Sequence, residues 1–280
     1  MSKVKSILQR PETVIDDVDC EPWFEQIADF LLNKADFVVN GSPHRFMELE
    51  FYYYGKGHKD PFAHRDPVQL HFGRWYFHRT KGVYRGGSFK GLDIAFGDGE
   101  AFAGILIRTI QKEDGTPVVG PSLSVDHVLD CNGTDSVKAL DEAIGTREVW
   151  DTSSPLHIRE TDSPKADELY RSARVGLTLK KGKGRDDMAL YVMRPYRYVV
   201  EPTRISKGKP HLVLGLHQRG TDAETIQKLT GCPKKSVTQY IAEFEAGQSE
   251  ADFSAYIGAD VNTKTLCRMH GTWKKLKGDK

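Results

Sequence analysis

The sequence has few cysteines, no long apolar run and almost no net charge. Its four cysteines are far apart and include no Cys-x-x-Cys pair, which argues against a zinc ribbon or a dense disulfide framework and favours a reducing, intracellular compartment. The longest apolar run, Ala101–Ile107, is too short to cross a bilayer, and no signal-peptide segment is recognisable. We therefore expect neither a membrane protein nor a secreted one. With a formal charge of +1, any site for a polyanion must come from local segregation of charge.

What the sequence does contain is typical of a globular protein with an adequate core. It has 280 residues, of which 39% are hydrophobic and 28% charged. The patterns predict an α+β fold, with a mixed, mainly antiparallel curved β-sheet, peripheral helices and a small C-terminal helical module. We expect a polar N-terminal arm at 1–20, a main domain at 21–203 and a basic helical module at 204–280.

Hydrophobic spacing places the individual elements. Apolar residues at Trp23, Ile27, Phe30 and Leu31 predict a helix with Pro22 in its first turn. A second helix is expected near Ser136–Ile144. Strands separated by glycine-rich turns are expected at the following positions: Val38-Val39, Phe46–Tyr54, Trp75–Phe77, Ile105–Ile107, Val175–Leu179 and Ala189–Val192.

One strand, Met47–Tyr54, carries groups suited to chemistry. Its alternation puts Glu48, Glu50, Tyr52 and Tyr54 on one face and apolar residues on the other. A carboxyl group that aromatic rings partly shield from water is a better general base near neutral pH. The alternative is a solvated strand face with tyrosines at its rim, which is common in antiparallel sheets.

Several histidines follow this strand, at His58, His64, His71 and His78. Imidazoles at such separations are able to converge on a metal ion. Their spacing matches no defined metal motif, however, and we expect neither a metal nor a cofactor.

Five short motifs, in the same order along the chain, resemble those of the alkyladenine (3-methyladenine) DNA glycosylases. The resemblance covers about residues 30–200. It is carried by these stretches: Glu50-Phe51-Tyr52 with Gly55, Asp60, Ala63 and His64; Gly97-Asp98-Gly99 with Leu106-Ile107-Arg108; Gly120-Pro121-Ser122; Ala173-Arg174-Val175-Gly176; and Tyr191-Val192 with Pro195.

The resemblance implies that Glu50 activates the water that attacks the sugar of a flipped-out nucleotide. It also implies that Tyr52 and His64 contact the extruded base and its backbone. We expect Tyr54 to line the same pocket. Chemistry on a base in a duplex requires its extrusion, which costs a few kcal/mol, and aromatic stacking of about 1–3 kcal/mol per base offsets that cost.

The chain departs from the family pattern around the pocket. Gly86-Gly87 with Ser88 replaces a bulky tyrosine that wedges into the duplex. Either Tyr84 or Phe89, in a shifted register, or another loop is expected to fill the gap. Asp93 replaces an asparagine at the pocket edge, which favours a cationic base or one that presents hydrogen-bond donors. Leu123 replaces a lysine, which removes one phosphate contact.

For two residues the sequence leaves alternatives open. Arg108 is expected either to contact a phosphate or sugar, or to be an exposed arginine at a strand end. Asp93 is either a pocket residue or an ordinary turn aspartate.

Gly97-Asp98-Gly99 is expected to be a hairpin turn. Further phosphate contacts are expected from the loop Lys180–Arg185, through Lys181, Lys183 and Arg185.

The segment from Arg204 onward is basic, with thirteen Lys or Arg residues against eight Asp or Glu residues. Within it, Thr221–Phe244 is expected to form two helices around Gly231-Cys232-Pro233, with apolar stripes at Ala223, Ile226, Leu229 and at Val237, Tyr240, Ile241, Phe244. This spacing is typical of a helix-turn-helix, in which Lys234, Lys235 and Gln239 would face DNA. The alternative is an ordinary helical hairpin.

The sequence thus predicts a metal-independent DNA N-glycosylase that acts in base-excision repair on double-stranded DNA with a modified or damaged base. One alternative is a non-catalytic reader of modified DNA or a helix-turn-helix regulator. Another is a metal nuclease that uses His58, His64 and His71.

Overall fold

The protein is described by a computed structural model for residues 2–14, 17–183 and 185–278. It is a mixed α+β protein with a mainly antiparallel sheet, and it forms two compact units. The first unit is Met1–Lys59 with Ala63–Leu169, and the second is Asp60–Phe62 with Tyr170–Lys280. The boundary expected at 203/204 therefore lies inside the second unit.

The first unit contains one large sheet, a small hairpin and helices. Its strands are β1 (Ala35–Val39), β2 (Ser42–Tyr54), β3 (Phe72–Phe77), β4 (Arg79–Thr80), β5 (Val83–Tyr84), β6 (Leu92–Phe96), β7 (Phe102–Gln111), β8 (Pro117–Val119) and β9 (Leu156–Glu160). Its helices are α1 (Lys3–Leu8), α2 (Asp17–Lys34), α3 (Pro121–Cys131) and α4 (Val137–Ile144), with short 3-10 turns at Pro67–Leu70 and Gly87–Phe89.

The strands of this sheet follow the order β9-β1-β2-β7-β6-β3, and β8 pairs with the end of β7. Every pairing is antiparallel. β1 and β2 are joined by the two-residue turn Asn40-Gly41, both at positive φ, which is the turn that tight hairpins favour. β6 and β7 are joined through Gly97-Asp98-Gly99, so the expected hairpin turn is confirmed.

The helix expected at Trp23–Leu31 is confirmed as α2, although it begins earlier and has Pro22 in its interior. The polar arm expected at 1–20 is wrong in part, because α1 lies within it and buries Val4 and Leu8. Asp16, at the acidic end of that arm, lies outside the described residues. The apolar face of α2 packs on β2, where the rings of Phe24 and Phe51 stack with centroids 4.8 Å apart.

The second unit contains the strand pair β10 (Tyr170–Ser172) and β11 (Arg197–Val199). Its helices are α5 (Asp186–Tyr191), α6 (Lys209–Gln218), α7 (Ala223–Thr230), α8 (Lys234–Gly247) and α9 (Thr263–Lys277), with 3-10 turns at Pro202–Arg204 and Ser254–Tyr256.

Two strands expected in this region are wrong. The stretch Val175–Leu179 is a turn with Gly176 at positive φ, and Ala189–Val192 lies mainly in α5. Met188, Tyr191 and Val192 are buried at i, i+3 and i+4, which is helical spacing. A short apolar run does not distinguish a strand from a buried helical turn.

The C-terminal helices pack through two glycines. A Cβ at Gly247 would lie 2.1 Å from the carbonyl oxygen of Arg268, and one at Gly271 would lie 1.9 Å from that of Phe244. The backbones of α8 and α9 are therefore in direct contact. The two helices expected around Gly231-Cys232-Pro233 are confirmed as α7 and α8, with Ile226 and Val237 in their core. Ala223, expected in the apolar stripe, is exposed.

The described residues include no helix that combines the length and the apolar character needed to cross a membrane.

Candidate active site

Four side chains form a row across one face of the sheet in the first unit. Glu50 on β2 is paired with Leu106 on β7, Leu106 with Asp93 on β6, and Asp93 with Tyr76 on β3. Directly paired residues of antiparallel strands project to the same face. Glu50 and Asp93 therefore lie on one face, two strands or about 10 Å apart between their Cα atoms.

The Glu50 end of the row is a buried ionic network. Arg108 donates from Nε to Glu48 at 2.9 Å and from Nη1 to Glu50 at 3.3 Å, and the Tyr52 hydroxyl donates to Glu50 at 2.9 Å. Thr109 donates to the second oxygen of Glu48 at 2.5 Å. Both carboxylates are fully buried, so the solvated strand face considered from the sequence is wrong for these two residues.

A break in strand register accompanies this network. Glu48 is paired with Thr109, although the register of the flanking pairs would place Arg108 opposite it. Such local irregularities re-aim side chains next to functional sites.

Arg108 differs from both roles considered for it. β7 continues to Gln111, so Arg108 is not at a strand end, and its side chain is buried against two carboxylates rather than exposed. Burial disfavours its charge, but Glu50 and Glu48 outweigh this, and the pKa of Arg108 is raised. Two carboxylates on neighbouring positions of one strand face thus share one buried cation.

The Asp93 end of the row is held by neutral donors and an imidazole. Asp93 is buried in β6, so the turn aspartate considered from the sequence is wrong. It accepts from Nε2 of His78 at 2.7 Å and from the amide nitrogen of Gln69 at 3.2 Å. Gly104 makes this possible, because a Cβ there would lie 2.5 Å from the Gln69 amide and 2.7 Å from Asp93.

His64 lies beside this end. Its Nδ1 is 3.2 Å from the Tyr76 hydroxyl and its ring centroid is 4.3 Å from that of His78. Burial, followed by the neighbouring His78, lowers the pKa of His64 to about 4. Burial raises the pKa of Tyr76. Near neutral pH we therefore assign the Tyr76 hydroxyl as the donor and a neutral His64 as the acceptor.

The other predicted residues near the strand are placed separately. Tyr54 is half-buried, with the Arg65 guanidinium 4.9 Å from its ring centroid. His58 is buried with Nδ1 2.8 Å from the Tyr53 carbonyl oxygen, and His71 is exposed. Within the described ranges, one group of metal-ligating side chains has all its ligand atoms within 4.8 Å of each other. It contains none of His58, His64 and His71, so these do not form the cluster that the nuclease alternative requires.

The loop in which the sequence lacks a bulky tyrosine contains an exposed ring. Tyr84 does not project, because its hydroxyl donates to Asp141 at 2.6 Å and the Arg79 guanidinium covers its ring. Phe89, in the 3-10 turn after Gly86, is 71% exposed. Of the two residues considered for the missing wedge, Phe89 is the one available to a partner.

Apart from Arg108, the basic residues expected to contact DNA lie in the second unit. Lys181, Lys183 and Arg185 are exposed, and Arg185 forms an ion pair with Asp187; Gly184 of the same loop lies outside the described residues. Exposed positions at the start of α8 include Lys234, Lys235 and Gln239. Lys280 of the basic C-terminal segment also lies outside the described residues.

Sequence reasoning missed three residues of the site: Gln69, Tyr76 and His78 as partners of Asp93 and His64. The alternation of Arg74, Tyr76 and His78 offered a weak signal of a polar face. The pairing of β3 with β6, which brings these residues to Asp93, has no local signal in the sequence.

The comparisons with known proteins add one relative. No protein-family model matches the chain. An uncharacterized protein of Acanthamoeba polyphaga mimivirus, L759, is 34% identical over 209 residues, which covers 69% of this chain and 92% of the viral protein. This chain therefore belongs to the same family as that mimivirus protein.

Proposed function

We propose that this protein is a metal-independent DNA glycosylase that flips a modified base out of DNA and hydrolyses its N-glycosidic bond. The observation that carries the proposal is the fully buried Glu50 carboxylate, held by Tyr52 and Arg108 on the sheet face that also holds Asp93. The motifs that resemble the alkyladenine DNA glycosylases support the same assignment for Glu50 and a fold of that type.

Glu50 acts as the general base. A water molecule donates a proton to its carboxylate while the water oxygen bonds to the anomeric carbon of the sugar. The bond from that carbon to the base breaks, and its electron pair leaves with the base. Arg108 and the Tyr52 hydroxyl fix the orientation of the carboxylate, so little reorganisation is needed during the reaction.

Asp93 and its partners recognise the extruded base. The side-chain oxygen of Gln69 is buried and has no hydrogen-bond partner among the described residues, although its amide nitrogen is bound to Asp93. An unsatisfied buried acceptor costs about 1–3 kcal/mol. A base that presents an N–H group would satisfy this oxygen. A neutral His64 ring at the same end adds an aromatic surface without a positive charge to repel a cationic base.

DNA binding uses the exposed loop and the basic segments. Phe89 occupies the duplex step that the extruded nucleotide vacates, as apolar wedges do in other DNA-bending proteins. Lys181, Lys183 and Arg185 hold phosphates, and Lys234, Lys235 and Gln239 contact DNA through a helix-turn-helix-like arrangement of α7 and α8.

The decisive experiment compares Glu50→Gln with the wild type on a panel of modified duplexes, with released bases identified by mass spectrometry. We expect Glu50→Gln to lower base release at least about 100-fold, since loss of a general base costs about 10²–10⁴. Binding to the same duplexes should stay largely intact. Glu142→Gln, an exposed change in α4, is the matched control and should release bases at the wild-type rate.

The alternative is a reader that binds modified DNA without cutting the bond. It is supported by the Gly86-Gly87 departure from the family pattern. Binding of a modified duplex without base release by the wild type would establish the reader. Wild-type release by Glu50→Gln would disprove the role of Glu50.

A further inference from the structure

A second cluster of reactive side chains lies apart from the row that contains Glu50 and Asp93. It consists of His44 near the start of β2 and of His127 and Cys131 on α3. The ligand atoms of the three residues all lie within 4.8 Å of one another. Neither the proposed reaction nor the family resemblance uses any of them.

Local structure explains why they converge. His127 and Cys131 are four residues apart on a helix and therefore share one face. The Asn40-Gly41 turn holds the start of β2 in place, and the Asn40 side chain donates to the Cys131 carbonyl oxygen at 2.8 Å. The hairpin and the end of α3 are thus already joined where the three side chains meet.

The distances are close to those of a metal site. Nε2 of His44 is 2.8 Å from Nε2 of His127, and Sγ of Cys131 is 3.4 Å from that same His127 nitrogen. In an ideal tetrahedral zinc site, nitrogens lie about 3.3 Å apart and nitrogen and sulfur about 3.6 Å apart. A separation of the two rings by about half an ångström would therefore admit an ion.

The hydrogen bonds prepare the ligands. Nδ1 of His44 is 3.0 Å from the Ser42 carbonyl oxygen, so it carries the proton and leaves Nε2 with a lone pair. Such a bond to the other ring nitrogen is the usual support of a metal-bound histidine. In the metal-free protein, the N–H group at Nε2 of His127 donates a hydrogen bond to Nε2 of His44. An ion would take the place of that proton.

One side of the cluster is open. A cavity of about 510 Å³ adjoins the three residues and is also lined by Lys112, Glu113 and Asp114. Nζ of Lys112 lies 3.5 Å from Oδ2 of Asp114, so the carboxylate offsets the positive charge of the lysine. Three protein ligands with an open fourth position are typical of zinc sites that bind water or an exchangeable ligand. Copper electron-transfer sites with two histidines and a cysteine usually have a methionine thioether as a further ligand. Here the open side is bordered by the carboxylates Glu113 and Asp114 instead, which favours zinc over copper.

We propose that His44, His127 and Cys131 bind one Zn²⁺ ion, with water as the fourth ligand. Binding releases the thiol proton, moves the His127 proton to Nδ1, and links the β1–β2 hairpin to α3. Two histidines and a cysteine form a donor set of the borderline softness that Zn²⁺ prefers. The ion stabilises the first unit and takes no part in the proposed base release.

The test uses the full-length protein after treatment with a chelator. Zn²⁺ is titrated by calorimetry, and Co²⁺ serves as a spectroscopic probe. We expect one Zn²⁺ per chain, a rise in melting temperature on Zn²⁺ addition, and a thiolate-to-cobalt charge-transfer band with tetrahedral d–d bands. Cys131→Ser should abolish the charge-transfer band and weaken Zn²⁺ binding at least about 10-fold. His127→Ala keeps the thiolate and should weaken Zn²⁺ binding to a similar extent.

His71→Ala, a change of an exposed histidine, is the matched control and should bind Zn²⁺ as the wild type does. Cys131 is only partly buried, so Cys131→Ser should keep the wild-type circular dichroism without metal. Absence of one-to-one binding, or undiminished binding by both Cys131→Ser and His127→Ala, would overturn the proposal. Neither result depends on base release.

Discussion

Glu50 and Asp93 lie on the same face of one sheet, and each is held by a different kind of partner. Glu50 contacts a buried guanidinium, and Glu48 shares that cation. Asp93 contacts an imidazole and an amide, with the neutral His64 nearby. The Glu50 end is thus an ionic network around a buried cation, whereas the Asp93 end is held by an imidazole and an amide.

Under the proposed function, the two ends have different tasks. A guanidinium keeps its proton at every working pH, so the cation beside Glu50 is permanent and fixes the orientation of the carboxylate. In the proposed function, the imidazole and amide partners of Asp93 contact the extruded base together with the neutral His64. The proposed hydrolysis would use the Glu50 end for catalysis and the Asp93 end for recognition of the base.

The largest effect on stability is expected from Arg108→Leu. It leaves Glu48 and Glu50 buried without their cation, and breaking such a pair from one side costs about 3–5 kcal/mol of unfolding free energy. Arg159→Leu is the control, because it breaks a more exposed pair with Asp36 and should cost less than about 1 kcal/mol. Urea unfolding measures both variants.

Asp93→Asn sharpens the contrast at the other end. It removes a charge but keeps a hydrogen-bond acceptor, so it should lower the free energy of unfolding, measured with urea, by about 1–3 kcal/mol. A loss of unfolding free energy equal to that of Arg108→Leu would show that the charge of Asp93 is as important to stability as the buried cation at the Glu50 end.

A smaller effect is expected from His64→Gln, and only in acid. The pKa of His64 is about 4 in the folded protein and 6.5 when unperturbed, so below pH 6.5 the unfolded chain binds more protons at this ring. Wild-type stability should therefore fall between pH 6.5 and about 4. Over this pH range the free energy of unfolding should fall by about 2 kcal/mol less in the variant than in the wild type. This value is smaller than the one that the full pKa shift of His64 would give, because the ring is partly exposed.

Urea unfolding at the two ends of this pH range measures the difference. His71→Gln, which alters an exposed ring, should leave the wild-type slope unchanged. Equal slopes for the wild type and His64→Gln would mean that His64 is not held neutral.

Much of the Glu50 end could be predicted from the sequence, because alternation along β2 is a local property. It places Glu48, Glu50 and Tyr52 on one face without knowledge of their neighbours. The Asp93 end could not be predicted in this way. Gln69 and Tyr76 reach Asp93 and His64 only through the fold of the sheet, which depends on long-range pairing. The strand predicted at Val175–Leu179 is wrong for a related reason, because an apolar stretch of this length is compatible with several local structures.

The smallest effect is expected from Gly104→Ala. The added methyl group meets the ends of two side chains, those of Gln69 and Asp93, which can shift at a cost of about 1 kcal/mol. Gly86→Ala is the control, since no atom lies within 4 Å of its added methyl and its φ is negative. Histidine ring resonances give the sharper readout. His78 should shift in Gly104→Ala because its partner Asp93 moves, whereas Gly86→Ala should leave it unchanged. An unshifted His78 in both variants would mean that the Asp93 end does not depend on the space that Gly104 provides.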